Sequence, residues 1–274
     1  MIKPKTKLPT NWADLQKIAP MTDLTFTDIF GQRHHITFDT ESLTYPHIKQ
    51  GIPFDGSSIR SWCPINKSDM LMMPELNTAV LDPFTKIPTL SITCDVYDPT
   101  TRAPYPRSPR TIAKRAEALL IKTGLATTAY FGPEPEFYIF NNATYQQGSN
   151  FGHFELQSTE APWGNNAYRM ATKGGYVPSS PNDQLDAVRT EMLVTLKNMG
   201  IMVEKHHHEV GGAGQVELGI KYQPLLQMAD TMVLFKYVVK NVAIKNGLVA
   251  TFIPKPILGD NGSGMHVHQS LWKN

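Results

Sequence analysis

The run Tyr130-Phe-Gly-Pro-Glu-Pro-Glu-Phe-Tyr-Ile-Phe140 constrains this chain more than any other. Read as an extended strand, it projects Glu134 and Glu136 from one face while Phe137 and Ile139 turn to the other, so the strand needs a core behind it. Two like charges side by side cost energy unless a cation or bound protons compensate, and hard cations such as Mg2+ or Mn2+ prefer carboxylate oxygens. Alone, Glu-x-Glu is more often a solvated pair on an edge strand.

Two further segments shift that balance. His206-His-His-Glu-Val-Gly-Gly-Ala-Gly-Gln-Val-Glu217 follows an apolar entry at Ile201–Val203, reverses at its glycines and continues through Ile220 and Tyr222. A hairpin of this kind brings Glu209 and Glu217 together, one from each arm. In Gly259-Asp-Asn-Gly-Ser-Gly-Met-His-Val-His-Gln-Ser270, His266 and His268 share one face of a strand. A lone histidine is more often a core or surface residue than a ligand. Four glutamates and a histidine pair converging from separate segments favour a divalent-metal site.

These blocks resemble the glutamine synthetase family, the bacterial type I form in particular. The resemblance runs in order through Phe54-Asp-Gly-Ser-Ser58 with Trp62 and Ser68-Asp-Met70, then Gly132-Pro-Glu-Pro-Glu136, Lys173-Gly-Gly-Tyr176, His207-His-Glu-Val210, Gly214-Gln-Val-Glu217, and Lys255-Pro256 through Asn261-Gly-Ser-Gly-Met-His-Val-His268. It implies an α+β protein with a small N-terminal β-grasp-like domain over residues 1–104. A catalytic domain over 105–274 should follow, an antiparallel barrel-like sheet with helices, incomplete at its C-terminus. Relatives of this type continue past the last block, and the continuation is expected to hold a further metal-binding glutamate, phosphate-binding arginines and a closing flap.

The resemblance also implies a reaction: glutamate attacks ATP to give γ-glutamyl phosphate, and ammonia then displaces phosphate. Two or more Mg2+ or Mn2+ ions per site would serve it. Glu136, Glu209 and Glu217 are expected at one ion, Glu134 and His266 at the other, and His268 at a phosphate oxygen. Glu204, Tyr222 and Ser270 match ATP-contacting positions; Asn261, Gly262 and Ser58 match substrate-binding ones. Asp55, with Tyr176 and Glu209, is expected to bind ammonium and take its proton, although from the residues alone Asp55-Gly56 reads as a turn. The partners implied are glutamate, ammonium and ATP, within a homo-oligomer of two hexameric rings whose sites lie between subunits. Two rival readings remain: a γ-glutamyl ligase for a larger amine, and a noncatalytic metal- or nucleotide-binding fragment.

Composition fits a cytoplasmic enzyme. At 274 residues, 41% hydrophobic and 18% charged, the chain can bury a substantial core. A net charge of +2 gives no argument for nucleic acid or a membrane surface. Cys63 and Cys94 make no disulfide framework. Leu225–Leu248 carries Asp230, Lys236, Lys240 and Lys245 at helical spacing, which reads as an amphipathic helix and not a membrane span.

The pattern predicts a helix near Asn11–Ile18, strands at Leu24–Phe30, His35–Phe38 and Leu90–Val96, and a linker at Pro99–Pro109. A helix capped by Ser108 and ended by Gly124 should bury Ile112, Ala116, Leu119 and Leu120. Asn141–Gly175 reads as polar and mobile; a helix follows over Asn182–Met199, and Val249–Ile253 restarts the sheet.

Overall fold

The computed structural model describes residues 8–273; residues 1–7 and Asn274, which the expected domain bounds include, lie outside that range. Two compact units form. One is built on the chain up to Ala129 with Pro224–Val233 and the end from Leu271, the other on Tyr130–Gln223 with Leu234–Ser270.

In chain order the first unit contains α1 (Trp12–Leu15), β1 (Met21–Thr27), β2 (Arg33–Asp39), α2 (Tyr45–Gln50), β3 (Ile52–Asp55), β4 (Asp69–Pro74), β5 (Val80–Leu81), β6 (Thr89–Tyr97) and α3 (Pro109–Thr123). Its sheet runs β2-β1-β6-β4-β3, with β5 also on β6. β1 and β6 pair in parallel, and the remaining neighbours are antiparallel. This is the expected small β-grasp-like sheet, filled by Trp12, Leu15, Leu24, Phe26, Trp62, Met72, Leu90 and Ile92. α1 is shorter than the sequence suggested. Asn11 accepts the Asp14 N–H at 3.0 Å to start it, but Pro20 disfavours helix in the residue before it and β1 begins directly after.

α3 keeps its expected ends, with Pro109 first and Gly124 left-handed at φ +70°. Its buried face is not the expected one. Ile112 is 51% and Leu119 61% exposed, Ala116 is exposed and Leu120 half-buried, while Thr111 is buried. The helix docks through charge: Arg110 Nη1 donates to Asp95 at 2.5 Å and Nε to Asp230 at 2.9 Å, and Lys114 also reaches Asp95. Glu117 accepts the Leu226 N–H at 3.0 Å. This polar face lies about two-fifths of a turn away from the apolar one, so hydrophobic periodicity pointed to the wrong side. Ser108 occupies the cap position without a side-chain hydrogen bond.

From β7 (Thr128–Phe140) the chain continues through β8 (Asn142–Gln147), β9 (Gly152–Gln157), α4 (Asp186–Asn198), β10 (Val203–His208), β11 (Gln215–Ile220), β12 (Gln223–Pro224), α5 (Leu225–Lys245), β13 (Val249–Thr251) and β14 (Met265–Trp272). The second sheet runs β10-β11-β7-β12, and β13 and β14 also pair with β7. The long strand β7 is thus shared by four partners. Behind it Phe137 packs on Phe235 and Phe252, with ring centroids 6.2 and 5.0 Å away. α4 starts at Asp186, four residues later than expected, with Leu185 at its cap; Leu185, Val188, Met192 and Leu196 are buried as predicted, and Gly200 follows its end at φ +89°. α5 buries Phe235, Val238, Val239, Val242 and Ala243 and leaves Lys236 and Lys240 exposed. Among the described residues, no helix is long and apolar enough to cross a membrane.

The stretch read as polar and mobile, Asn141–Gly175, contains an antiparallel hairpin, paired from Asn142↔Gln157 to Gln147↔Gly152. Nearly every residue in it is exposed. Without a core side, the two strands lack the apolar alternation that would have announced them.

Candidate functional site

Register brings the ligand candidates together. β10 sets His207 opposite Glu217, and β11 sets Glu217 opposite Glu136 on β7. Directly opposed residues in antiparallel strands share a face, so these three side chains form one row across the sheet. Glu209 joins them from just past the end of β10, since the reversal folds back and Glu209 N–H donates to Gln215 O at 2.7 Å. The tight packing of that reversal requires its glycines. A Cβ on Gly211 would lie 2.1 Å from the Tyr138 hydroxyl, and Gly214 has φ +102°.

His207 bridges the two acids, with Nδ1 3.4 Å from Glu209 and Nε2 3.6 Å from Glu217. His207, Glu209 and Glu217 each offer one ligand atom within 4.8 Å of the others. Glu134, His266 and His268 form a second such group, the imidazoles 3.4 and 3.3 Å from the carboxylate. Carboxylate oxygens and imidazole nitrogens suit a divalent cation, so both groups fit the metal that the sequence suggested. Glu136 stands beside the first group with one oxygen already occupied, accepting from Gln215 Nε2 at 3.0 Å and Gly264 N at 2.9 Å. His207 was not among the metal ligands expected from sequence, and His268, one of the histidine pair whose spacing pointed to a metal, was expected from the family at a phosphate oxygen. The i, i+2 spacing of His207 and Glu209 was the signal available for the former.

The charges respond to this crowding. Burial pushes the Glu217 carboxyl up; the nearby His207 opposes this, and the charges of Glu134 and Glu209 reinforce it. Burial also acts to raise Glu134, but its contacts with His268 and His266 outweigh that and hold it below the ordinary carboxylate range.

The loop before β14 is held by its own backbone. Tyr138 Oη donates to Asn261 O at 2.5 Å, Gln215 Nε2 to Gly262 O at 2.9 Å, and Asp260 accepts from Lys173 N and Asn261 N at 3.0 and 2.9 Å. Gly262 does permit a close approach, but to the chain itself: a Cβ there would sit 2.8 Å from Pro254 O. Tyr176 lies edge-on to His207, centroids 6.1 Å apart. Gly132 separates Tyr222 from His268; a Cβ on it would meet their Cβ atoms at 3.4 and 3.7 Å. Tyr222 stands edge-on to Tyr130 at 5.4 Å, and Ser270 follows His268 along β14. Glu204 is exposed beside a register shift in β10.

In the first unit, Asp55 forms the turn read from sequence. It accepts from Ser57 N at 2.9 Å, Ser57 Oγ at 2.6 Å and Ser58 Oγ at 2.5 Å. Those hydrogen bonds hold its carboxyl below the usual range while leaving it exposed. Cys63 and Cys94 are free thiols.

Family models decide the relationship. The catalytic domain of glutamine synthetase matches residues 106–274 and the glutamine synthetase beta-grasp domain matches residues 19–99. The chain belongs to the glutamine synthetase family. It is 47% identical to a glutamine synthetase of Nostoc sp. over 93% of this chain and 56% of the relative, and 49% identical to that of Azospirillum brasilense over 92% and 55%. It is also 48% identical, over 96% of this chain and 58% of the relative, to a 3-hydroxylaminophenol mutase of Cupriavidus pinatubonensis. The chain therefore spans little more than half the length of these relatives. A Plasmodium falciparum glutamine synthetase structure superposes with TM-score 0.88 at 26% identity, covering 96% of this chain and 54% of that one. An ADP complex titled GmaS superposes at 0.78 and 25% identity, covering 97% and 56%. The fold of the family, a β-grasp domain followed by an α+β catalytic domain, is thus the fold of this chain.

Proposed function

We propose that this chain is part of an ATP-dependent ligase that forms glutamine from glutamate and ammonia. The observation that carries the reading is the pair of carboxylate–imidazole groups on one sheet, His207–Glu209–Glu217 and Glu134–His266–His268, drawn from segments that follow the family's order. One relative of similar identity bears a different activity name, so likeness alone does not choose the reaction, and the chemistry of these residues is what supports the ligase reading.

Two anions must meet in the first step, a glutamate carboxylate and the terminal phosphate of ATP. Bound Mg2+ or Mn2+, two or more per site, would neutralise the phosphates and orient them for in-line attack. Glu136, Glu209 and Glu217 with His207 would hold one ion, and Glu134 with His266 the other. His268 donates to a phosphate oxygen, and the rigid Asn261–Gly262 loop seats glutamate, with Ser58 as a further substrate contact. Tyr222 lies against the nucleotide, with Glu204 and Ser270 beside it. Attack gives γ-glutamyl phosphate and ADP, and ammonia then displaces phosphate. Asp55, Tyr176 and Glu209 bind ammonium first and accept its proton as the nucleophile forms. The boundary between the two parts lies near residue 104. The reading is completed by a cytoplasmic homo-oligomer of two hexameric rings, in which Asp55 serves a neighbour's site.

Phosphate release by the whole protein that contains this chain tests this, the 274-residue chain alone being expected to turn over negligibly without the continuation. Release is expected to require ATP, glutamate and ammonium together and to be lost in Glu209→Gln. ATP turnover indifferent to glutamate, or a preference for methylamine over ammonium, would replace the reading.

A further inference from the structure

Behind the first ligand group lies a buried pair that the reaction above does not use. Glu160 and His208 are each 1% exposed, with Glu160 Oε2 3.1 Å from His208 Nε2. The other ring nitrogen, Nδ1, donates to the carbonyl of Glu209 at 2.7 Å. Glu160 Oε1 accepts the N–H of Gln184 at 2.6 Å, which closes the segment between residues 160 and 184 into a loop. Tyr176 sits inside that loop. Its flanks are pinned to the same strand end: Gly175 N donates to Val210 O at 3.0 Å and Val177 N to His208 O at 3.2 Å. The fit is close, since a Cβ on Gly175 would lie 2.6 Å from Glu209 O and 2.7 Å from His208 Cε1.

We propose that Glu160 is a positioning residue that, through His208, fixes the backbone of Glu209 at the metal-ligand group and holds the Tyr176 loop against it. An imidazole with an acceptor at each nitrogen cannot rotate without losing a buried hydrogen bond, so the ring acts as a strut between a fixed carboxylate and the peptide that carries the ligand. The inference rests on the metal reading of His207, Glu209 and Glu217.

Mn2+ titration of the purified chain, with metal-free unfolding followed alongside, tests it. Glu160→Ala and Glu160→Asp are expected to weaken Mn2+ binding about tenfold, within the range that outer groups command over metal affinity. Glu160→Gln should stay within about threefold of wild type, because its amide can accept from Gln184 N–H and donate to His208 Nε2. If Glu160→Ala does not fold, the Asp and Gln variants decide. Unchanged Mn2+ affinity in Glu160→Asp with a lowered unfolding midpoint, or a loss in Glu160→Gln as large as in Glu160→Asp, would overturn the proposal. A wild-type chain that binds no Mn2+ overturns the metal reading itself; failure of the positioning role leaves the wild-type isotherm intact.

Discussion

Acidic side chains converge twice in this molecule, with opposite consequences. In the first unit Asp95 and Asp230 meet over Arg110 and Lys114, each carboxylate engaged by a permanent cation at hydrogen-bond distance. In the second, Glu134, Glu209 and Glu217 meet, and their ion-pair partners among the described residues are histidines, at 3.3 to 3.6 Å. Guanidinium and ammonium groups cannot shed their charge near neutral pH, whereas imidazole can and then offers a lone pair to a metal. The first cluster is closed electrostatics that joins α3 to β6 and α5. The second is left short of positive charge, which is the condition for recruiting a cation. Density of carboxylates does not separate structure from function; the chemistry of their counter-groups does.

Breaking each cluster should therefore give different readouts. Arg110→Met leaves buried Asp95 with Lys114 alone and half-buried Asp230 without its cation, and loss of one member of a buried pair costs about 3–5 kcal/mol. Denaturant unfolding should show that loss with little change in Mn2+ binding. A fall below about 1 kcal/mol would mean that the network is solvated and contributes no more than a surface pair.

Glu217→Gln should do the reverse, lowering Mn2+ affinity on the order of tenfold or more while leaving the metal-free chain at least as stable. The sign follows from its folded-state carboxyl being raised by burial, with Glu134 and Glu209 adding to that. Such a group binds more protons folded than unfolded, so its penalty is absent below the ordinary glutamate range. The penalty develops as pH rises through the raised folded value. The stability gap between variant and wild type should close on acidification and widen toward neutral pH. A gap that widens at low pH would show that the carboxylate is stabilised in the fold, and the contrast between the clusters would fail.

How much of this was legible in the sequence depended on whether a residue's role left a period behind. β7, α4 and α5 carried a strand or helix period, and each formed, α4 starting four residues later than expected. Glu134, Glu136, His266 and His268 were readable because i, i+2 spacing on a strand fixes a shared face. The meeting of His207, Glu217 and Glu136 required strand register, which no single segment records. Glu160 was invisible for a different reason: it lies in a polar irregular segment, and its partner His208 belonged to a histidine run that gave no reason to separate a buried ring from its neighbours. The β8–β9 hairpin lacked a core side, and α3 was misread because a charged face docks it.

That misreading supplies the finest comparison, between two helices with equally plain apolar stripes. In α4, Leu196 is 0% exposed, and Leu196→Ala should cost about 2–5 kcal/mol, the usual range for emptying a core site. In α3, Leu119 is 61% exposed, so Leu119→Gln should change stability by less than about 0.5 kcal/mol, since nothing is left unpacked. The same assay, unfolding of the purified chain in denaturant, reads both. Concentration must be varied, because an apolar face covered by another copy would make the Leu119→Gln effect grow as the protein is concentrated. A cost above about 1 kcal/mol that is independent of concentration would mean that α3 packs through Ile112 and Leu119 after all. The Arg110 network would then not be what docks the helix, and the first half of the comparison would have to be redrawn.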